Sequence, residues 1–169
     1  MTRTQTAILA AIIAGGAMLG LSVAEPVNPA ASSAPHIVVT DGDSLRIDGK
    51  RVRLFGIDAP ELRQTCMVPR GSWECGRAAT NALHTMIAED PAVTCERRDT
   101  DRYGRMVAVC RNSGGDLGAR MVRAGHAVDY TRYSGGAYRE HEAAAKAERL
   151  GVHAGSFQHP ADWRKEHTQ

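Results

Sequence analysis

The stretch Arg53-Leu54-Phe55-Gly56-Ile57-Asp58-Ala59-Pro60-Glu61 decides how this chain is read. Its first half is an apolar run entered by a cation, the pattern of a buried strand. Its second half sets two carboxylates around a turn whose backbone Pro60 restricts. A small core rarely carries a cation at one end of a strand and two anions at the other, because buried charge is costly unless it is paired. The combination points to chemistry on a phosphate and calls for partners elsewhere in the chain. Strand alternation raises a difficulty. Arg53 and Asp58 lie an odd number of residues apart and would face opposite sides of a regular strand, so the chain must turn, twist or bulge between Gly56 and Asp58.

Upstream of this stretch, residues 36–40 form a β-rich run that stops at the turn Asp41-Gly42-Asp43. Ser44-Leu45-Arg46-Ile47 alternates polar and apolar as a half-buried strand. Asp48-Gly49-Lys50 then turns the chain into a third strand over residues 51–57. Downstream the sequence is irregular up to Trp73. Residues 77–89 predict a helix that buries Ala79, Ala82, Leu83, Met86 and Ile87 on one face and ends before Pro91. Residues 93–97 and 106–110 read as strands flanking Asp101-Arg102-Tyr103-Gly104. Asp116 can cap a second helix over residues 117–124, stopped by Gly125. Residues 127–133 read as extended or irregular, and residues 137–150 predict a third helix closed by Gly151. Phe157 and Trp163 in the tail are expected to fold back onto the body. No internal repeat is visible. Three strands, a helix, two strands and two helices predict an α+β, mainly β fold: a five-stranded Greek-key barrel of the OB type with three helices. A small open α+β sandwich is the alternative.

The 169 residues suit a single domain, but the first stretch reads as separate from it. Arg3 precedes an apolar run over residues 7–21, and Ser22-Val23-Ala24 places small residues for cleavage before Glu25. Residues 1–24 are therefore expected to be a secretory signal peptide, with an uncleaved membrane anchor as the rival reading. Residues 25–35, rich in Pro, Ala and Ser, read as a flexible linker, and residues 36–169 as the folded domain. A secreted or periplasmic location follows from that reading. In an exported chain Cys66, Cys75, Cys95 and Cys110 imply two disulfides. Their spacings contain no C-x-x-C, which argues against zinc. If the Asp101–Gly104 turn is regular, counting outward from it sets Cys95 opposite Cys110, so the pairing expected is Cys95–Cys110 with a local bridge Cys66–Cys75. The formal net charge of +2 neither proposes nor excludes a nucleic acid as partner. Any polyanion would have to be held by local arginines and a metal.

Phosphodiester cleavage needs a cation, a group that activates or orients water, and donors for the oxygens that gain charge. Asp43 and Asp58 are oxygen ligands of the kind a hard divalent ion takes, Ala59 can add its backbone carbonyl, and Glu61 stands close enough to handle a water. Arg53 and Arg105 supply planar donor forks. Each also has an ordinary reading: Asp41 and Asp43 as turn formers, Arg53 as a structural partner of Asp58, Arg105 as a solvated strand end. His126 and His141 show no metal-type spacing.

Three blocks together, Val38–Ser44, Arg53–Glu61 and Asp101–Arg105, resemble the signature blocks of the staphylococcal (micrococcal) nuclease family, in the family's order. The resemblance extends from about His36 to Trp163. It implies an OB-fold barrel and calcium-dependent hydrolysis of DNA and RNA that leaves 3′-phosphates; a monomer is the default expectation, which the sequence itself does not specify. By matching position, Asp43, Asp58 and the Ala59 carbonyl would bind Ca2+. Glu61 would orient or deprotonate the attacking water, and Arg53 and Arg105 would grip the phosphate. Asp41 would stand behind the metal ligands, while Tyr103 and Tyr130 would contact the neighbouring nucleotide. The family places the end of the strand before Asp58. Ser44 stands where threonine is usual, His153 where many relatives carry tryptophan, and Asp129 at a position often apolar. A non-catalytic OB-fold module that binds nucleic acid or a protein is the competing class, with an exported, disulfide-stapled interaction domain behind it. The set Asp43, Asp58, Glu61, Arg53 and Arg105 favours the enzyme.

Overall fold

The computed structural model describes residues 35–167. The expected signal segment and all but the last residue of the expected linker lie outside them. Three short strands open the fold: β1 (Ile37–Asp41), β2 (Ser44–Ile47) and β3 (Lys50–Leu54). They form an antiparallel meander in which Val39 pairs with Leu45 and Leu45 with Val52. β4 (Ile57–Asp58) follows, then a hairpin of β5 (Cys66–Val68) and β6 (Gly71–Trp73), and helix α1 (Cys75–Glu89). β7 (Thr94–Thr100) and β8 (Met106–Asn112) form the second long hairpin, and β9 (Gly115–Asp116) adds to the far edge of β8. The chain closes with α2 (Leu117–Arg123), β10 (Val128–Asp129), α3 (Thr131–Ser134), α4 (Arg139–Ala147), a 3-10 turn (Gly151–Ala154) and α5 (Pro160–His167).

The main sheet runs β1-β2-β3-β8-β7, with β3 parallel to β8, which is the strand order of a Greek-key OB sheet. The expected closure into a barrel is absent: among the described residues no ladder joins β7 to β1. β7 carries Glu96, Arg97, Arg98 and Asp99 in succession and is exposed along most of its length. Such a charged edge is at ease in water and resists further pairing. The core lies between this sheet and the helices, where Leu45, Val52 and Leu54 meet Ala79, Leu83 and Met121. A smaller cluster gathers Cys66, Cys75, Val128 and Val152, against which Trp73 and Phe157 pack.

Among the described residues five α-helices stand where three were expected. α1 starts at Cys75 and buries Ala79, Leu83 and Ile87, the face that the periodicity predicts. Asp116 caps α2, its Oδ1 accepting from the backbone N–H of Gly118 at 2.8 Å and of Ala119 at 3.2 Å. The added α3 is held by Asp129. That carboxylate is buried and accepts from Thr131 Oγ1 at 2.8 Å and Ser134 Oγ at 2.5 Å, so the polar residue at an often apolar position has a local use. The other addition, α5, begins with Pro160, whose fixed φ suits the first helical position. The expected third helix is shorter than predicted because Arg149, two residues before Gly151, takes the left-handed conformation (φ 52°) and ends it. Phe157 folds back as expected, whereas Trp163 stacks on His167 of its own helix with centroids 4.1 Å apart.

Both disulfides are present, Cys66–Cys75 and Cys95–Cys110. The second is reached by two offsets that cancel. Gly104 N–H closes the turn on the Asp101 carbonyl at 2.9 Å, but the strands pair across Asp101 and Arg105, one residue out of the expected register, and a bulge between Arg97 and Asp99 removes that shift before Cys95 meets Cys110.

Candidate active site

Everything at the site follows from what happens after Leu54. The strand breaks at Phe55-Gly56, earlier than Asp58, and Gly56 takes φ +68°. A side chain there would be strained, and its Cβ would lie 2.7 Å from the Cβ of Ser134. The reversal starts a new two-residue strand, β4, which leaves the main sheet and pairs with β10. The parity problem is thereby removed: Asp58 turns to the side on which Arg53 lies.

Arg53 then holds both aspartates. Its Nη1 donates to Asp43 Oδ1 at 3.0 Å, while its Nη2 meets Asp43 Oδ2 at 2.9 Å and Asp58 Oδ1 at 2.8 Å. The carboxylates are nearly inaccessible, at 3% for Asp43 and 2% for Asp58. Asp43 also accepts from Ser44 Oγ at 2.9 Å and from the backbone N–H of Ala59 at 3.2 Å. Ser44 in turn accepts from Arg105 Nη1 at 3.3 Å, so a hydroxyl links the second arginine to the first aspartate. Arg105 is oriented by Asp101, its Nε donating to Oδ2 at 2.7 Å. The parallel ladder brings the two arginines to one corner, because Arg53 pairs with Val107, two residues beyond Arg105.

Glu61 is placed by the start of α1. Gly76 packs so close that a Cβ there would lie 1.7 Å from the Glu61 carbonyl oxygen. Gln64, fully buried, accepts from the Glu61 N–H through Oε1 at 3.2 Å and donates from Nε2 to the Gln158 carbonyl at 2.6 Å. It thus ties the Glu61 turn to the segment before α5. Asp41 stands behind Asp43, accepting the Asp43 N–H at 3.0 Å. Burial, and next the adjacent Asp43 charge, push the Asp41 carboxyl up to about 7. Burial also raises Asp58, against the lowering effect of its bonds to Arg164. For Arg53, burial disfavours the cation but the charges of Asp43 and Asp58 outweigh it and raise its pKa.

Tyr103 is 56% exposed beside Arg105, whose guanidinium lies 5.6 Å from the ring centroid. Tyr130 is tied to the strand break by its N–H, which donates to the Gly56 carbonyl at 2.8 Å, and it packs edge-on against Tyr133. His153 packs against Phe157, and its Nε2 has no hydrogen-bond partner among the described residues.

Sequence reasoning missed Arg164 and Gln64. Arg164 of α5 donates from Nη1 to Asp58 Oδ1 at 2.9 Å and to Glu61 Oε1 at 2.7 Å, and from Nη2 to Asp58 Oδ2 at 3.2 Å. Its partners are more than a hundred residues away in sequence, and no local pattern marks it.

The oxygen donors suit a hard divalent ion. Asp43 and Asp58 converge on one arginine nitrogen at distances near 3 Å, so they can also converge on an ion. Among the described residues no three histidine, cysteine or carboxylate groups form a ready-made cage. An ion held there would therefore complete its shell with backbone carbonyl, water and phosphate oxygens.

The sheet order and the charged corner between β3 and β4 are those of a staphylococcal-nuclease-like α+β protein. Sequence comparison gives the same answer. The family described as staphylococcal nuclease homologue matches residues 51–154, and the chain belongs to that family. It is 35% identical over 153 residues to the succinoglycan biosynthesis protein ExoI of Rhizobium meliloti (strain 1021), covering 89% of this chain and 75% of the relative. It is 30% identical over 132 residues to the probable staphylococcal-like nuclease CAN3 of Oryza sativa subsp. japonica, which covers 77% of this chain but 32% of that longer protein. An uncharacterized endonuclease of Haemophilus influenzae (strain ATCC 51907 / DSM 11121 / KW20 / Rd) is 28% identical over 137 residues, 77% of this chain and 71% of the relative.

Proposed function

We propose that the protein is an exported, calcium-dependent phosphodiesterase that hydrolyses DNA or RNA and leaves 3′-phosphate ends. The observation that carries this reading is the Arg53 fork holding Asp43 and Asp58 together, with Glu61 and Arg105 at the same corner. A module that only binds nucleic acid has no use for buried carboxylates beside its phosphate grip. Asp43, Asp58 and the Ala59 carbonyl would hold the ion, and Asp41 would keep the Asp43 turn in place. Calcium, when bound, supplies a Lewis acid that draws charge from the phosphate oxygens. Glu61 accepts a proton from, or orients, the attacking water. Arg53 and Arg105 donate to the oxygens whose charge grows as the fifth bond to phosphorus forms. Tyr103, exposed beside Arg105, offers a ring to the neighbouring nucleotide, and Tyr130 flanks it.

Two disulfides support export, since such bonds persist in oxidising compartments. Among the described residues no helix is long and apolar enough to cross a membrane. The test is cleavage of single-stranded DNA and of RNA with calcium or a chelator, with end-group analysis of the products. Arg53→Ala and Arg105→Ala should each lose at least ~10²-fold in rate, the scale for one transition-state donor. Binding of the polymer without cleavage would establish the competing class, and undiminished cutting by the double variant would dismiss the phosphate clamp.

A further inference from the structure

Arg164 touches the two groups that the proposed reaction needs most. Both oxygens of Asp58 accept from a guanidinium: Oδ1 from Arg53 and Arg164, Oδ2 from Arg164. The same Nη1 that reaches Asp58 also reaches Glu61 Oε1 at 2.7 Å, so one cation bridges the expected metal ligand and the expected water-handling carboxylate. An ion coordinated by Asp58 requires at least one of those oxygens at about 2.3–2.6 Å; three of the carboxylate's roughly four lone pairs already accept guanidinium hydrogens, so the ion would enter beside Arg164 and two like charges would meet at one oxygen. Arg53 approaches Asp58 through Oδ1, which leaves Arg164 as the donor on Oδ2.

The helix that delivers Arg164 is lightly seated. Of the eight residues of α5, Pro160 is buried. Lys165 and His167 make contacts inside the helix, to Asp162 and to the Trp163 carbonyl. Just before the helix, Gln158 is fixed to the body by its carbonyl, which accepts from Gln64. The segment therefore has a fixed root at Gln158 and, midway along the helix, a cation at Arg164 docked on Asp58 and Glu61.

We infer that Arg164 is a built-in competitor of the divalent cation: α5 docks its guanidinium on Asp58 and Glu61, and metal entry displaces it and loosens the helix. The inference rests on the proposed metal site at Asp43 and Asp58. Metal affinity is then set partly by the strength of an internal contact, since a ligand that must break an existing interaction binds more weakly by the cost of breaking it.

The test titrates the full chain with calcium chloride by calorimetry, for wild type, Arg164→Gln and, as a control on the same helix, Lys165→Gln. Arg164→Gln should bind calcium roughly tenfold to a hundredfold more tightly, the scale of a charge-assisted hydrogen bond. Lys165→Gln should match wild type. In wild type, calcium should speed amide hydrogen exchange across residues 160–167 while slowing it around Asp43 and Asp58. That measurement needs no variant, so it tests the idea even if Arg164→Gln folds poorly. Weaker binding by Arg164→Gln would overturn the inference and make Arg164 a residue that positions the two carboxylates. Equal affinities with unchanged exchange in α5 would also overturn it while leaving the metal site intact. No calcium binding by either protein would refute the metal reading itself, and this inference with it.

Discussion

Replacing Arg53 by alanine should do more than slow cleavage; it should weaken the fold. The residue neutralises two carboxylates, Asp43 and Asp58, that are 3% and 2% exposed, through three contacts of 2.8–3.0 Å. Its own side chain is 16% exposed, so little of this attraction is screened by water. In Arg53→Ala, Asp58 retains Arg164, but Asp43 retains only the Ser44 hydroxyl and the Ala59 N–H among the contacts described above. Removing one partner of a buried ion pair costs about 3–5 kcal/mol, and the surviving Arg164 contact puts the loss near the lower end, ~3 kcal/mol. For a domain of this size that is a fall in Tm of roughly 10 °C. The pH dependence has a definite sign. Burial already raises the Asp58 carboxyl in the folded chain, and losing Arg53 removes one of the charges that lower it, so the penalty grows as pH rises above ~4 and fades below it. Thermal unfolding of chelated protein from pH 3.5 to 8 measures this, and saturating calcium should restore part of the lost stability at pH 7. An Arg53→Ala protein within about 2 °C of wild type at pH 7 without metal would refute the account of Arg53 as the cation that makes burial of these carboxylates tolerable.

Three further outcomes are expected. Asp41, raised to about 7 by burial and by Asp43, binds a proton more tightly in the folded than in the unfolded chain. The stability it confers on metal-free protein is therefore present below pH ~4 and lost as pH rises through 7; Asp41→Asn should flatten that part of the profile in urea titrations, and parallel curves would count against it. Gly76→Ala must move backbone, because its Cβ would sit 1.7 Å from the Glu61 carbonyl oxygen. It should cost ~3 kcal/mol or more by chemical denaturation and lower cleavage through the displaced Glu61, whereas Arg77→Ala beside it should be nearly neutral. The double variant Cys95→Ser, Cys110→Ser opens a loop of sequence separation 15 and should lose about 3 kcal/mol, read as the difference between its unfolding midpoint and that of the oxidised wild type.

Much of the site was legible in the sequence because turn chemistry and side-chain chemistry are local. Asp41-Gly42-Asp43 marks a turn whatever surrounds it, and Gly56 marks a place where a strand can reverse. The disulfide at Cys95 was readable through strand register, although the bulge near Arg98 and the one-residue offset in pairing at Arg105 were not, since neither leaves a mark in the local alternation. The length of α4 was misjudged because Gly151 looks like a natural stop, whereas Arg149 takes the left-handed position first. Barrel closure was misjudged because strand order alone does not reveal whether two edges meet. Arg164 was invisible for a plainer reason: its meaning lies entirely in partners at the other end of the chain.

The parallel pairing of β3 with β8 has a consequence for how such a protein can vary. After Leu54 the chain leaves through a stapled hairpin, a helix and an edge strand, then returns at Met106 beside the strand it left. The separation of the two arginines is set by the hydrogen-bond ladder at that return and is indifferent to the length of the excursion. Extra residues at the tip of the β5–β6 hairpin, around Pro69 and Arg70, add only a slowly growing closure entropy and leave the ladder untouched. The excursion is thus a region where new surface can be acquired under little constraint, while the spacing of the two arginines is inherited whole.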